Sequence, residues 1–350
     1  MRTLAEIPTT KFDPPADSFA PAPVETRGIT RDGVRLLVAR PNAITHTHFA
    51  DLASQLGPGD VIVVNDSATI AAEFDARSDR HGAVVLHIAA PLDDGSWVLE
   101  VRTAPTASRA ILDGQPGEVF RGGQISLQLL EPYPRGSSPT DHGNRLWRAR
   151  VEGDLTEHLT RRGRPIAYGY LDSRYPLAAY QSVFSLRPGS AEMPSAARPF
   201  TPSLVAELVT RGVAIAPITL HTGVSSQEAG EAPQAERFSV SSSTARLVNA
   251  LRSDGGRVVA VGTTATRAIE SAVVDGCVVA RQGWTERVVT ASNPPEIVTG
   301  LITGWHDPQA SHLLLVEALA GPHLAQAAYD AAVKNGYHWH EFGDSALFLP

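Results

Sequence analysis

The residues best suited to chemistry follow an apolar run in the second half of the chain. Val258–Val261 is typical of a buried strand, and Gly262-Thr263-Thr264 comes directly after it. The pattern from residue 265 is helical, so the threonines can cap a helix whose unpaired N–H groups bind an anionic or polar group. Arg267 and Glu270 lie one turn apart and can both reach the mouth of this turn. An ordinary strand-to-helix turn with a surface ion pair would give the same local pattern.

Histidines follow two further predicted strands. His221 comes after Val213–Leu220, whose proline suggests an irregular or edge strand, and His306 ends the segment Gly300–His306. Ligands of α/β sheets gather beyond the carboxyl ends of the strands, so three polar strand ends predict one shared pocket. A structural role and a functional contact are both open for these two histidines.

Ser195 lies in a loop of small residues that precedes a predicted helix. Thr201 followed by Pro202 is a typical helix start, with an N-cap residue and then proline at the first helical position. Small residues before it allow the backbone to approach a ligand closely. A tight structural crossing of the chain would explain the same composition.

No metal site is predicted. The pairs His46/His48 and His338/His340 could each place two rings on one face of a strand, but no carboxylate or cysteine pattern accompanies them. The single cysteine, Cys277, excludes an internal disulfide and a cysteine-built zinc or iron–sulfur site. The sequence also lacks a G-x-x-x-x-G-K-[ST] phosphate loop, a G-x-G-x-x-G motif and a G-x-S-x-G nucleophile elbow.

The composition is that of an ordinary globular protein. The 350 residues carry a formal charge of −7, with 43% hydrophobic and 19% charged residues. This charge argues against a broadly basic nucleic-acid surface, although it permits a local basic patch. Lys11 and Lys334 are the only lysines, and neither lies where Schiff-base chemistry is expected. With no signal peptide and no apolar span of about 20 residues, we expect a cytoplasmic protein without a membrane segment.

Two kinds of strand pattern predict two domains. Apolar runs alternate with helical patterns in residues 1–75 and 153–350, which is typical of an α/β domain. Residues 76–152 contain short strands without helices, which predict an antiparallel sheet or barrel. The expected fold is therefore an α/β main domain with an inserted all-β, barrel-like domain. Within the main domain Thr47–Leu56 predicts a short helix, and the proline-rich residues 1–30 predict an extended arm that packs on the rest.

Together these segments resemble the S-adenosylmethionine:tRNA ribosyltransferase-isomerase family of queuosine biosynthesis. The matches follow the family's order and cover nearly the whole chain after the proline-rich arm. They are Gly59–Ser67 (G-D-…-F-N-D-T), Tyr180–Phe184 with Pro188-Gly189 (Y-Q-T-V-[YF]-…-P-G), Pro194–Thr201 (A-P-T-A-G-L-H-F-T), Leu220–Gly223 (L-H-V-G), Gly262–Ser271 (G-T-T-S-V-R-T-L-E-S), Gly300–His306 (G-L-I-T-N-F-H), Leu313–Gly321 (L-L-M-L-V-S-A-F-A-G) and Gly343-Asp344 (Y-G-D-A-M-L).

The resemblance implies an α/β domain with an inserted β-barrel, and it implies an activity. S-adenosylmethionine would donate its ribosyl unit to 7-aminomethyl-7-deazaguanine at the tRNA wobble position, giving epoxyqueuosine, adenine and methionine. Because the sulfonium acidifies the C5′ hydrogens, one positioned base can start the rearrangement, and a proton donor must assist the departure of adenine. No metal and no cofactor beyond this co-substrate is implied. The implied catalytic candidates are His221, Glu270, His306 and Asp344, and the implied S-adenosylmethionine-binding residues are Ser195, Gly262, Thr263, Thr264 and Arg267.

Several departures from the family motifs remove a histidine or cations. Arg198–Thr201 reads R-P-F-T in place of L-H-F-T, Ala68 and Glu73 replace two arginines, and Gly304–Ser311 lacks the lysine of N-F-H-L-P-K-S-T. Loss of basic side chains is expected in a protein that no longer binds phosphate groups. The resemblance implies tRNA as a partner, and these lost basic residues argue against it. A relative that uses a small-molecule acceptor or cleaves S-adenosylmethionine, and an inactive S-adenosylmethionine-binding scaffold, are the alternatives. The sequence does not predict the oligomeric state.

Overall fold

The structure is a computed structural model that describes residues 4–15, 17–134, 143–225, 231–308 and 310–350. Its strands are β1 (Arg35–Arg40), β2 (Ala43–His48), β3 (Val61–Asn65), β4 (Ser67–Thr69), β5 (Glu73–Ser78), β6 (Gly82–Pro91), β7 (Trp97–Thr103), β8 (Val119–Gly122), β9 (Ile125–Pro132), β10 (Leu146–Glu152), β11 (Arg187–Ser190), β12 (Ala214–Leu220), β13 (Glu236–Val240), β14 (Val258–Val261), β15 (Val273–Val274), β16 (Cys277–Val278), β17 (Arg281–Thr285), β18 (Gly300–Gly304) and β19 (Ser345–Phe348).

The described α-helices are α1 (Leu155–Arg162), α2 (Pro202–Thr210), α3 (Ser242–Ser253), α4 (Gly262–Glu270), α5 (Ser311–Ala320) and α6 (Pro322–Lys334). Short 3₁₀ turns occupy Val24–Arg27, Arg31–Gly33, Phe49–Ser54, Leu177–Tyr180 and Ser195–Ala197. None of the helices in the described ranges is long and apolar enough to cross a membrane.

The main sheet has nine strands in the order β17-β13-β12-β3-β14-β18-β19-β1-β2. Strands β12, β3, β14 and β18 run parallel at its centre. On one side β13 and β17 add antiparallel pairs, and on the other side β19 is antiparallel to β18, β1 is parallel to β19 and β2 is antiparallel to β1. Residues 61–64 and Val258–Val261 are buried throughout, as expected for central parallel strands covered on both faces. Alternate residues of these strands pack with α3, α4, α5 and α6 on one face and with α2 on the other. The hydrophobic cores on the two faces of the sheet thus hold the carboxyl ends of the central strands in place.

Strands β5 to β10 close into a six-stranded antiparallel barrel in the order β10-β7-β6-β5-β8-β9. Closure leaves no unpaired sheet edge, so a small barrel can stand beside the main sheet without exposing backbone groups for aggregation. The predicted fold class, an α/β domain with an inserted barrel, is confirmed. The domain boundaries predicted at residues 76 and 152 stay a prediction, although the barrel strands run from Glu73 to Glu152.

Glu73 connects the barrel to the chain that follows it. This fully buried carboxylate accepts hydrogen bonds from Arg164 Nε at 2.5 Å and Arg174 Nη1 at 2.6 Å, and its Oε2 lies 3.0 Å from His87 Nε2. Burial opposes ionisation, but His87 and Arg164 outweigh it and lower the pKa of Glu73 to about 2. The residue that replaces a family arginine is therefore the centre of an interior ion-pair network.

Two predicted elements of the main domain differ in the structure. Thr47–Leu56 is wrong as a helix: Thr47 and His48 end β2, and only Phe49–Ser54 forms a 3₁₀ turn. The strand with a proline, β12, lies between β3 and β13 rather than at the edge of the sheet. Pro217 is tolerated there because β13 pairs with β12 only at Thr219 and Leu220, so the side of Pro217 that faces β13 carries no ladder.

The proline-rich arm is extended and packs on the main domain, as predicted; residues 1–3 and 16 of it lie outside the described residues. The N–H groups of Thr9 and Thr10 donate to Glu317 on α5, at 2.9 and 2.6 Å. Further along, Phe12 stacks on Tyr329 with ring centroids 4.6 Å apart. Phe19 stacks on His340 at 4.5 Å, which brings the arm to the wall of the cavity described next.

Candidate active site

A cavity of about 690 Å³ lies beyond the carboxyl ends of the central strands. Its wall includes Gly262–Thr264 after β14, Thr222-Gly223 after β12 and Thr303-Gly304 at the end of β18. The three predicted strand ends therefore meet, as expected for ligand sites of parallel α/β sheets. The volume falls within the range of about 300–1,000 Å³ that small-molecule sites occupy.

Helix α4 begins without a side-chain cap. Gly262 follows β14 with a φ of +86°, and Val261 before it supplies no cap. The prediction that Thr263 and Thr264 cap this helix is wrong, because both lie inside its first turn. The N–H groups of a first turn have no partner within the helix, and these line a cavity, so they can receive an anionic group of a ligand.

Gly262 also allows the loop that carries Ser195 to come close. A Cβ atom built at Gly262 would lie 3.2 Å from Cβ of Ala196, closer than side chains normally pack. Ser195 opens the 3₁₀ turn Ser195–Ala197 and lines the cavity beside the start of α4. The small-residue loop thus forms both a tight crossing and a cavity wall.

Arg267 lines the cavity but is held by the fold. It is 6% exposed, forms an ion pair with Glu236, and donates to the carbonyl oxygens of Gln234 at 2.9 Å and Arg287 at 3.0 Å. Burial raises the pKa of Glu236, and the charge of Arg267 acts against that shift. Arg267 therefore fastens α4 to β13 and positions the cavity wall, beyond any contact it makes with a ligand.

Glu270 and Asp344 lie outside the cavity. The Glu270 carboxylate accepts hydrogen bonds from the backbone N–H groups of residues 296–298, each at 2.9 Å. Asp344 accepts from the N–H of Arg35 at 2.9 Å and of His338 at 2.8 Å, and it pairs with the Arg35 guanidinium at 2.6 Å. Because fold contacts occupy both carboxylates, the geometry favours structural roles over the predicted catalytic ones.

His221 lies behind the cavity wall, and only its neighbour Thr222 lines the cavity. Its Nδ1 is 2.7 Å from the hydroxyl of Ser67. A Cβ atom at Gly189 would lie 2.5 Å from the same nitrogen, so the ring is enclosed by the crossing of β4 and β11. Burial lowers the pKa of His221. This packing places the histidine one layer away from a bound ligand.

His306 lies in the cavity and stacks on His312, with ring centroids 4.4 Å apart and an angle of 8° between the planes. Its Nε2 is 3.1 Å from the hydroxyl of Thr303. Burial first, and then His312 and His340, lower the pKa of His306 well below its usual value. Burial and Arg267 lower the pKa of His312 to about 4. Both rings are therefore neutral near pH 7 and present a flat, uncharged surface.

The polar cavity residues that sequence reasoning missed include Tyr168, Tyr170, Glu192, His312 and Glu341. Glu192 accepts hydrogen bonds from the Tyr168 hydroxyl and from both the N–H and the hydroxyl of Ser225. Oε2 of Glu341 is buried without a hydrogen-bond partner in the described part of the chain. Burial and the charge of Glu192 raise the pKa of Glu341 to about 8. The two acids thus differ in the hydrogen bonds that their carboxyl groups accept.

A weak signal for these acids was present in the sequence. Glu192 lies three residues before Ser195, and Glu341 lies three residues before Asp344, so both flank segments that the motifs single out. The two tyrosines belong to no quoted motif. The two His-x-His pairs lie in different places, since His340 lines the cavity while His46 bonds to the Tyr337 hydroxyl at 2.8 Å. In the described ranges no three His, Cys, Asp or Glu side chains are grouped to hold a metal ion.

Comparison with known proteins identifies the family. A family model described as "Queuosine biosynthesis protein" matches residues 8–348. The chain belongs to this family.

Curated relatives of the queuosine biosynthesis family span the same length. The S-adenosylmethionine:tRNA ribosyltransferase-isomerase of Heliobacterium modesticaldum is 31% identical over 357 residues, covering 98% of this chain and 100% of that protein. The enzyme of the same name from Symbiobacterium thermophilum is 34% identical, covering 97% and 98%. The crystal structure of S-adenosylmethionine tRNA ribosyltransferase from Thermotoga maritima matches with a TM-score of 0.54 and 25% identity, covering 97% of this chain and 99% of that chain. The family predicted from the motifs is confirmed.

Within the queuosine biosynthesis family motifs, the unusual Arg198 has a structural explanation. It is 3% exposed, pairs with Glu25 at 2.9 Å and donates to the carbonyl of Ala179 at 2.9 Å. Its guanidinium lies 4.7 Å from the centre of the Phe342 ring. Arg198 therefore joins the N-terminal segment to the Ser195 loop and does not replace a histidine as a ligand contact.

Proposed function

We propose that this chain is an S-adenosylmethionine:tRNA ribosyltransferase-isomerase and that S-adenosylmethionine binds in the cavity described above. It would transfer and isomerise the ribosyl unit onto 7-aminomethyl-7-deazaguanine at the tRNA wobble position and release adenine and methionine. The supporting observation is one cavity lined by the residues of separate family motifs. These are Ser195, Gly262, Thr263, Thr264, Arg267 and His306.

The start of α4 suits the methionine carboxylate of the donor. The first-turn N–H groups at Gly262–Thr264 and the Thr263 hydroxyl border the cavity, and the helix dipole favours a negative charge there. The stacked rings of His306 and His312 suit the adenine, since neutral imidazoles can pack on a base and exchange hydrogen bonds with it. With its lowered pKa, His306 acts in this proposal as a neutral contact.

The charge of the cavity suits a sulfonium. Four carboxyl groups and two guanidinium groups line the described cavity: Glu192, Glu236, Asp307 and Glu341, with Arg102 and Arg267. Arg102 pairs with Glu100 and Arg267 pairs with Glu236, so each guanidinium charge is already balanced. Glu341 adds a full negative charge only above its raised pKa of about 8. A site with this balance attracts a cationic ligand and disfavours a phosphate. The protonated aminomethyl group of the acceptor base is a second cation of the right kind.

In the structure, the loss of the two family arginines argues less strongly against tRNA binding than it does in the sequence alone. Ala68 is 9% exposed and Glu73 is fully buried, so neither position is a surface at which a phosphate could be gripped. One observation still favours a second candidate, an S-adenosylmethionine-using enzyme with a small-molecule acceptor. The arginines in the described cavity lining are both paired with glutamates, so neither guanidinium is available to hold a tRNA phosphate there.

The two candidates differ in what triggers release of adenine. We expect the purified protein to release adenine and methionine from S-adenosylmethionine in the presence of tRNA carrying 7-aminomethyl-7-deazaguanine, and to convert that base to epoxyqueuosine. Control incubations contain the same tRNA with guanine at the wobble position. Release that is independent of the modified tRNA would support the second candidate, and binding without any release would overturn both.

A further inference from the structure

Two glutamates of the cavity are held in contrasting ways. Three donors fix the Glu192 carboxylate: the Tyr168 hydroxyl and the N–H and hydroxyl of Ser225. Glu341 has only the Tyr170 hydroxyl as a neighbouring donor, which acts to lower its pKa, and its Oε2 is buried without a hydrogen-bond partner among the described residues. Paired carboxylates in unlike surroundings often divide the tasks of fixed charge and proton carrier.

The carboxyl group of Glu341 has more acidic than basic side chains around it. The titratable and charged groups that act on it or adjoin it are Glu192, Tyr170, Tyr180, Arg198 and His340. Arg198 is already paired with Glu25, so it is a weak counter-ion for Glu341. Glu341 can therefore take up a proton near neutral pH, which matches the demand on a general base.

We propose that Glu341 is the general base that removes a proton from C5′ of S-adenosylmethionine bound in the cavity. In this step the C5′–H bond breaks, the proton forms an O–H bond on the Glu341 carboxylate, and the electron pair stays on C5′ beside the sulfonium. The Glu192 carboxylate, which its three donors hold in place, lines the same cavity as the sulfonium. The proposal rests on the proposed function and names the base for the same site.

Other titratable groups of the cavity are less suited to this step. Burial lowers the pKa values of His306 and His312, so their neutral rings are weak bases. Burial raises the pKa of Tyr168 and of Tyr170 well above the usual value, so both remain protonated. Glu236 pairs with Arg267, Asp307 Oδ2 lies 3.6 Å from His340 Nε2, and Glu192 accepts from three donors. In contrast, Oε2 of Glu341 is buried without a hydrogen-bond partner among the described residues.

The test is single-turnover release of adenine by wild type, Glu341→Gln and Glu341→Asp with S-adenosylmethionine and wobble-precursor tRNA. The substrate is used both unlabelled and deuterated at C5′. We expect Glu341→Gln to slow release by about 10²- to 10⁴-fold, the usual contribution of a general base. Binding of S-adenosylmethionine, measured by calorimetry, should change by less than about threefold, since the amide keeps the shape of the side chain. Glu341→Asp should recover part of the rate, because it restores the carboxylate.

A matched control is Glu207→Gln, at a half-exposed glutamate on α2 that is not part of the described lining, which should behave as wild type. Glu341 is supported as the base if the rate of adenine release by wild type rises with pH around 8 while the rate of Glu341→Gln does not change with pH. An unaltered rate in Glu341→Gln overturns the proposal, and so does a loss explained entirely by weaker binding. If wild type binds S-adenosylmethionine but releases no adenine with the modified tRNA, the proposed function fails and the base assignment falls with it.

Discussion

Replacing Glu270 by alanine tests whether this motif acid is structural or catalytic. The carboxylate accepts three backbone N–H groups, at residues 296, 297 and 298. Glu296 is exposed, so water can replace the lost bond there, whereas Ile297 and Val298 are buried. Leaving a buried N–H unpaired costs about 1–3 kcal/mol, so two of them predict a loss of about 2–6 kcal/mol in the free energy of unfolding.

That loss is large against the total stability of a domain, which is about 5–15 kcal/mol. Glu270→Gln should lose less, because Oε1 accepts both buried N–H groups and an amide oxygen can replace it. The assay is denaturant unfolding monitored by circular dichroism, with the midpoint compared among variants. Glu296→Ala, at a side chain 53% exposed that also faces Arg287, is the control and should cost less than about 1 kcal/mol. Normal stability of Glu270→Ala together with lost adenine release would refute the structural interpretation.

Three further outcomes are expected. Gly262→Ala, at a φ of +86°, should cost about 1–2 kcal/mol in stability and weaken S-adenosylmethionine binding by calorimetry, whereas Gly57→Ala should do neither. Because the pKa of Glu73 is lowered to about 2, its stabilisation is complete above its ordinary pKa of 4.5 and is lost as pH falls towards 2; Glu73→Gln should flatten that part of the acid unfolding curve. The lowered pKa of His306 predicts that its ring signals do not titrate by NMR between pH 6.5 and 8, and a midpoint in that window would contradict its neutral role.

Much of the fold can be predicted from local sequence patterns. Residues 61–64 and Val258–Val261 are continuous apolar runs, and burial on both faces of a parallel sheet is what such runs require. The barrel follows from short strands without helices. The error at Thr47–Leu56 has a local cause, since apolar residues spaced three apart fit a 3₁₀ turn after a strand as well as an α-helix.

The site depends on contacts that no local pattern encodes. The sequence indicates that Gly262–Thr264, Ser195 and His306 share a pocket, because strand ends of one sheet converge. It cannot indicate that the Glu270 carboxylate accepts hydrogen bonds from N–H groups 26 to 28 residues further along the chain. Nor does it show that Glu192 is saturated while Glu341 is not, because their donors come from distant segments. The presence of a titratable residue in a motif is therefore not enough to predict its role.

The most direct test of this account is a crystal structure of the protein soaked with S-adenosylmethionine. We expect the ligand in the 690 Å³ cavity, with its carboxylate at the first turn of α4 and its sulfonium next to Glu192 and Glu341. A ligand bound at any other place, or an empty cavity at saturating S-adenosylmethionine, would contradict it.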